Sequence, residues 1–375
     1  MRLHPFDTVL YLTLRLLKTI DRRKTALEHF VPDRVRRILV VSSTAIGDTL
    51  LSTPAIRAVR QEYPHARIIA HLNVKNRELF ENNPHIDGII PYYGGYRRFF
   101  RTVLEFRRHR FDLALIFHGN EPQATPMAYL SGAPFIMKIP MPKQYGFLLS
   151  NRTNCFRDPW SHHAIEVRLK TAELAGCRSE DKRMVLIVDD EDRRWASAFL
   201  SASGVRPGDV VIGFQTGAAT PQKTWPERSF IELGKRLLAM DGHIRIILTG
   251  SAGERLACEK MAREIGEGAL SAAGIPTLKQ LGALVEALTL LVTNDTGTMH
   301  IAVALQTPTV SLFCPTNPLG VGPIQDRDLH AVVHRDKPCS PCHSKKCDDP
   351  FCMGLIPVDD VFQAVSGRLH AHRPV

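Results

Sequence analysis

Several short stretches of the chain place ionisable or hydroxyl-bearing residues directly after an apolar run. The most specific reads LLVTNDTGTMHIAVALQTPTVSLFCPTNP, residues 290–318. A strand pattern ends at Asn294, then Asp295, Thr296 and Gly297 turn the chain, and His300 falls in the first turn of a helix pattern. Unpaired backbone N–H groups at a helix start, with the helix dipole behind them, hold an anion without a lysine. Gly297 lets a diphosphate approach the main chain closely. Helix capping by Asp295 is the competing reading, but it leaves the neighbouring Thr, Gly and His unexplained.

A second stretch, GFQTGAATPQKTWPERSF, sets Thr216, Gly217, Thr220 and then Lys223 between a strand pattern and a helix pattern. A lysine over a small-residue loop neutralises charge that builds on a departing phosphate. In the third, ILTGSAGERLACEK, Glu254 follows a strand. It suits the hydroxyls of a ribose, or is an ordinary first-turn acid of the next helix.

The fourth stretch, ILVVSSTAIGDTLLSTPAIRAVR, has the outline of a phosphate cradle but carries Asp48 just past Gly47. A carboxylate there repels phosphate, and its natural work is to take a proton from a hydroxyl.

Two clusters complete the inventory. PYYGGYRRFFRTVLEFRRHR interleaves aromatic rings with Arg97, Arg98, Arg101 and further arginines. Such a segment clamps the acidic groups of a glycolipid, stacks nucleic-acid bases, or is a solvated helix face. KPCSPCHSKKCDDPFCMG gathers Cys339, Cys342, Cys347 and Cys352, a partial match to a structural zinc site because the second pair is widely spaced. All four ligand positions would come from protein, which leaves no open position for catalysis.

The elements that must position these residues alternate. From Arg37 to residue 118 short β-rich runs trade with helical ones, and after a looser, proline-bearing stretch the alternation restarts near Val210. Alternation of this kind builds parallel sheets with helical crossovers. The chain has 375 residues, 44% hydrophobic and 23% charged, too many for one typical core. The expectation is an α/β chain of two doubly wound Rossmann-like domains, 37–180 and 181–375, facing across a ligand cleft, with a Cys-rich insertion at 338–353.

The net charge of +10 points to an anionic partner. Residues 1–36 form a separate basic segment. On a helical wheel Val9, Leu10, Leu14, Leu16, Leu17 and Ile20 share a broad face opposite Arg15, Lys18 and Arg22. The segment is too short and too charged to span a bilayer. It reads as a helix lying on the cytoplasmic face of a membrane, or as one packed on its own protein.

Taken together, STAIGDTLLSTPAIRAVR, TGAATPQKTWPERSF and TNDTGTMHIAVALQTPTVSLFCPTNP resemble the ADP-heptose:lipopolysaccharide heptosyltransferases, glycosyltransferase family 9, from about Arg37 onward. Cys314 and Val303 stand where family members commonly carry glycine and alanine. The resemblance implies the GT-B fold, with an acceptor-binding first domain and a donor-binding second one. Asp48 would be the catalytic base, and Lys223 the lysine on the donor phosphates. Thr216, Gly217, Thr220, Glu254, Asp295, Thr296, Gly297 and His300 would line the donor site, and Arg97, Arg98 and Arg101 the acceptor site. The implied reaction is inverting, needs no cofactor, and moves heptose from ADP-heptose to a lipid A-linked core oligosaccharide. Its implied setting is the cytoplasmic side of an anionic inner membrane in a Gram-negative bacterium, with no nucleic-acid partner. Another nucleotide sugar, a nucleotide-sugar 2-epimerase, or a non-catalytic module for nucleic acid or anionic lipid are the alternatives.

Overall fold

The computed structural model describes residues 5–121, 123–139, 145–152, 161–336, 339, 347 and 349–371. The chain divides into two compact units, Met1–Val185 and Leu186–Val375, a break slightly beyond the 180/181 boundary expected from sequence.

The first unit opens with α1 (Pro5–Ile20) and continues through β1 (Arg37–Ser42), α2 (Ile46–Leu50), α3 (Thr53–Glu62), β2 (Arg67–Asn73) and β3 (Gly88–Tyr92). It is completed by α4 (Phe99–His109), β4 (Leu113–His118), α5 (Ala124–Leu130), β5 (Phe135–Met137) and α6 (Ala164–Glu173). All its strands are parallel, in the order β3-β2-β1-β4-β5. Residues 38–42 of β1 are all buried, as a central parallel strand covered on both faces requires. Leu39, Val41, Ile69, Ala114 and Ile116 carry one face of the sheet into a core closed by Phe99, Val103 and Phe106 of α4 and by Leu10 and Leu14 of α1.

The sequence pattern over 49–63 reads as one helix, but the structure has two, α2 and α3, with Pro54 in the first turn of α3. Proline has no N–H to donate and fits only where none is needed. The helix expected over NRELFENNP is instead 3₁₀ over Val74–Phe80.

The apolar face expected on α1 is divided. Leu10 and Leu14 are buried and Phe6 and Leu17 pack beside them, whereas Val9, Leu16 and Ile20, joined by Leu12, are exposed. The helix therefore packs on its own unit and presents a second apolar stripe to solvent.

The second unit runs α7 (Asp190–Ala202), β6 (Val210–Gln215), α8 (Glu227–Met240), β7 (Ile244–Thr249), α9 (Arg255–Ile265), β8 (Ala269–Ser271), α10 (Leu278–Glu286) and β9 (Leu290–Asn294). It ends with α11 (Gly297–Ala304), β10 (Thr309–Phe313), α12 (Pro318–Val321), β11 (His330–His334) and α13 (Val358–Ala371). Its parallel strands lie in the order β11-β10-β9-β6-β7-β8. Counted within the unit, that is the Rossmann order 3-2-1-4-5-6 read from its other edge. Phe214, Leu248, Val292 and Leu312 meet Phe230 and Leu233 of α8 and Val361 and Val365 of α13 in its core.

In each unit the strand order reverses between the first and fourth strands. Parallel α/β sheets bind ligands beside that reversal, past the strands' carboxyl ends. In the first unit the place lies between β1 and β4, and in the second between β6 and β9.

Candidate active site

Asp48 lies in α2, just past the end of β1, and His118 is the last residue of β4. The two strands flank the reversal, so the residues meet there. Thr44 Oγ1 donates to Asp48 Oδ2 at 2.8 Å and stands 2.7 Å from His118 Nδ1. A hydroxyl has one proton, so with it on Asp48 the imidazole must donate from Nδ1 to Thr44. The other ring nitrogen, Nε2, then carries a lone pair 3.7 Å from Asp48 Oδ1.

Arg168 of α6 closes the cluster from below. Its Nη2 donates to Asp48 Oδ1 at 3.2 Å, its Nε to Ser52 Oγ at 2.9 Å and its Nη1 to the Ala164 carbonyl at 2.8 Å. The guanidinium is only 4% exposed while the Asp48 side chain is 30% exposed, so the cation is sealed and the carboxylate can be reached. Burial pulls the Arg168 pKa down, and Asp48 holds it up. The His118 pKa is also lowered, first by desolvation and then by Arg168 and Lys138, against the pull of Asp48. A neutral imidazole, an ionised carboxylate and a fixed guanidinium form an arrangement that can accept a proton from a hydroxyl.

Arg97, Arg98 and Arg101 are exposed at the start of α4. That helix follows β3, two strands away from β1. Arg98 stacks over the Tyr93 ring at 3.6 Å.

In the second unit Lys223 and Asp295 come together, with Nζ 2.5 Å from Oδ2. Asp295 does not cap α11. The cap position belongs to Thr296, which makes no side-chain capping bond, and its Oγ1 is buried without a partner. A buried orphan hydroxyl beside the open amides of a helix start fits an anionic ligand there. His300 is buried on the same helix and Gly297 opens it.

Asn294 ties this turn to the loop after β6. Its Nδ2 donates to the Thr216 carbonyl at 2.8 Å, and its Oδ1 accepts from the Trp225 backbone N–H at 3.1 Å. Gln215 links Thr249 and Thr298, accepting from them at 2.9 and 3.0 Å. The Thr216 hydroxyl faces inward, 3.5 Å from Cys258 Sγ, so that residue borders the loop through its backbone. Thr220 is half-buried, and its carbonyl accepts from the Lys223 N–H at 3.0 Å.

The structure shows Glu254 in the local role that its position after a strand suggested. Its Oε2 accepts from the Ser251 N–H and hydroxyl, each at 2.7 Å, closing a capping box. Its other oxygen lies over Gly217, where an added Cβ would stand 1.7 Å from Oε1. Only glycine lets the carboxylate occupy that place.

The four-thiol zinc site draws no support from the described residues. Cys342 lies outside them, and no three His, Cys, Asp or Glu side chains among them are grouped to hold a metal. Cys339 is exposed, Cys347 Sγ sits 3.2 Å from the Asp349 carbonyl, and Cys352 is buried in the second core near the Gln222 carbonyl.

Thr44, His118, Arg168, Gln215 and Asn294 escape a reading based on motifs. Arg168 left one signal: it occupies the stripe Ile165, Arg168, Leu169, Ala172, whose spacing is that of a buried helix face.

Two parallel sheets in Rossmann order, each with a polar cluster at its strand reversal, are the architecture of the GT-B fold. Residues 104–351 match the family model described as glycosyltransferase family 9 (heptosyltransferase). The chain belongs to that family. It is 26% identical over 306 residues to lipopolysaccharide heptosyltransferase 2 of Salmonella typhimurium, covering 75% of this chain and 84% of the relative. It is 25% identical over 335 residues to lipopolysaccharide heptosyltransferase 1 of Pseudomonas aeruginosa, covering 83% and 87%. Among solved structures, the family 9 glycosyl transferase of Veillonella parvula superposes with a TM-score of 0.76 at 23% identity, over 90% of this chain and 97% of that one. The ADP-heptose lps heptosyltransferase II of E. coli gives 0.72 at 23%, over 89% and 99%. Among the described residues no helix is long and apolar enough to cross a membrane.

Proposed function

We propose that this glycosyltransferase moves heptose from ADP-heptose to the inner core of a lipid A-linked lipopolysaccharide, with inversion at the anomeric carbon. The acceptor hydroxyl attacks that carbon, the carbon–oxygen bond to the diphosphate breaks, and ADP leaves with the electron pair. Asp48 takes the hydroxyl proton. Lys223 and the amides at the start of α11 receive the charge that gathers on the diphosphate, the task a divalent cation performs in other transferases. Glu254 accepts from the ribose hydroxyls, and the first unit presents the acceptor.

The observation that carries this reading is the turn after β9. A lysine is held on Asp295 at 2.5 Å beside the orphan Thr296 hydroxyl and an uncapped helix start. A helix end that served packing alone would leave no buried hydroxyl without a partner. The relatives above, lipopolysaccharide heptosyltransferases, support heptose and lipopolysaccharide as donor sugar and acceptor.

The test is a mass-spectrometric transfer assay with ADP-heptose and a set of truncated lipopolysaccharides, run in a chelator. Transfer that survives the chelator and falls about 100-fold or more in Asp48→Ala, with ADP affinity unchanged, is the expected result. Full activity of Asp48→Ala removes it as the base, and a requirement for magnesium refutes the charge assignment. Transfer from a different nucleotide sugar in preference to ADP-heptose would change the donor.

The lipid-linked acceptor extends the proposal to an anionic membrane surface. A structural zinc at Cys339, Cys342, Cys347 and Cys352 stays a separate proposal, to be decided by metal analysis of the purified chain.

A further inference from the structure

The C-terminal end of α1 borders an open basin of about 980 Å³. Its lining carries Arg15, Lys18, Arg23, Lys24, His29 and Arg152 against one carboxylate, Asp21. That carboxylate is already satisfied. Arg23 grips both its oxygens at 2.9 Å, Lys18 stands 3.6 Å away, and the Tyr129 hydroxyl donates to it at 3.0 Å. Among the described residues no carboxylate pairs with Arg15, Lys24 or Arg152. Arg15 is held in place from its other side, 5.0 Å over the Phe147 ring and 5.8 Å over Tyr11. Among the described residues the basin therefore offers cations, Arg15 held in place among them, with no carboxylate other than Asp21 to meet them.

Leu16 lines the same basin and is 67% exposed. It belongs to the solvent-facing stripe of α1, in which Val9, Leu12 and Ile20 are each more than 60% exposed. At the other end of the helix the Phe6 ring stands 6.3 Å from Phe100 of α4, itself exposed, as is Leu104. Arg97, Arg98 and Arg101 flank Phe100 in the sequence. An apolar stripe bordered by cations, beside a cationic basin, has the charge and polarity profile of a bilayer interface with negative headgroups.

We propose that this basin binds the headgroup phosphate of an anionic phospholipid while Val9, Leu12, Leu16 and Ile20 enter the adjoining acyl region. The inference rests on the proposed function only in taking the acceptor to be membrane-anchored. Its apolar stripe and most of its cations precede residues 104–351, where the family model matches, and Phe147 and Arg152 lie within them.

The experiment is vesicle co-sedimentation of the full chain, with phosphatidylcholine alone and with phosphatidylcholine mixed with phosphatidylglycerol. Transfer to a soluble, delipidated acceptor is measured in parallel, so a failure of the proposed reaction leaves the vesicle result intact. Wild type is expected to bind the mixed vesicles and not the neutral ones. R15A/K24A/R152A should bind them about 100-fold more weakly, whereas R15K/R152K should bind as wild type does. L12E/L16E, altered only at exposed positions, should lose at least about tenfold with an unchanged melting temperature. A control, K235A/K260A/R263A, removes three exposed cations from the second unit.

Equal losses in the control and the basin variant would reduce the effect to net charge and overturn the proposal. Mixed-vesicle binding by R15A/K24A/R152A at wild-type strength would overturn it too. So would uptake of inorganic phosphate by the basin together with wild-type vesicle binding by L12E/L16E, which would make it a soluble-anion site. Self-association abolished in L12E/L16E, with vesicle binding unaffected, would assign the stripe to a second copy of the chain instead.

Discussion

Arg168 Nη2 lies 3.2 Å from Asp48 Oδ1, and the two residues differ sharply in their access to water. The guanidinium is sealed inside the first unit, and the carboxylate opens outward. A buried cation of this kind keeps a neighbouring acid ionised without blocking the oxygen that must receive a proton. Ser52 and the Ala164 carbonyl fix the other two arms of the guanidinium, so it cannot swing away.

Replacing Arg168 by Met should cost the first unit about 3 kcal/mol, since it breaks one side of the ion pair and strips the Ala164 carbonyl of its partner, so the variant is assayed under conditions where circular dichroism shows it folded. Turnover should fall about tenfold or more, and the acid limb of the pH–rate profile should move to higher pH, because an acid without its cation ionises less readily. Arg168→Lys should restore part of both. A Met variant with reduced turnover and an unmoved acid limb would make Arg168 a packing residue only.

The Lys223–Asp295 pair gives a sharper test of the second unit. Lys223→Ala should reduce kcat/KM for the donor by about 100- to 1,000-fold, the scale of losing one preorganised charge partner. Asp295→Asn should behave differently. It loosens the lysine but also removes a negative charge close to the phosphates, so turnover should fall while ADP affinity, read by calorimetry, holds or improves. An Asn variant that no longer binds ADP would show that Asp295 itself contacts the nucleotide.

How much of this was legible beforehand depended on the length scale of the signal. Strand runs such as RILVVS and VVIGFQ announce buried parallel strands because they are apolar on both faces, and their alternation with helices foretells two sheets. The turn at Asp295–Gly297 was readable for the same reason: its parts are adjacent in the chain. Arg168 is 120 residues from Asp48, and His118 is 74 from Thr44, so only the fold brings them together. The wheel of α1 misled in another way. It placed Val9, Leu10, Leu14, Leu16, Leu17 and Ile20 on one face, whereas the unit buries the Leu10–Leu14 edge and leaves Val9, Leu16 and Ile20 outside.

Gly217 makes a prediction that no contact of its own would suggest. A methyl group at this position overlaps Glu254 Oε1, so Gly217→Ala must push the carboxylate off the loop. Donor KM should rise about tenfold, the cost of one hydrogen bond to a charged group. Glu254→Ala should do the same and in addition weaken the 3₁₀ turn Ala252–Glu254 that leads into α9 by about 1 kcal/mol, because it opens the capping box. The double variant should add little in KM, since both changes remove one interaction. A Gly217→Ala enzyme with normal donor KM would dismiss Glu254 as a ribose ligand.

Two histidines far from the candidate sites make acid stability a further test. His71 in β2 is fully buried, with Nδ1 2.9 Å from the Ile90 carbonyl and Nε2 unpartnered. His330 in β11 is buried as well, with Nδ1 3.0 Å from Thr309 Oγ1 and Nε2 again without a partner. Protonation would place a charged N–H against apolar atoms, and burial accordingly lowers both pKa values from 6.5 to about 4. The unfolded chain then binds more protons than the native one between those values, so stability declines as the pH drops from about 6.5 toward 4. Near pH 5 the loss is about 2 kcal/mol for each histidine. Urea titrations near pH 7 and pH 5 should show it, with His71 and His118 contributing in the first unit and His330 in the second. His71→Asn, whose amide can reach the same carbonyl, should be less stable near pH 7 yet decline less on acidification. If the variant declined as steeply as wild type, the acid sensitivity of the first unit would have to come from groups other than His71.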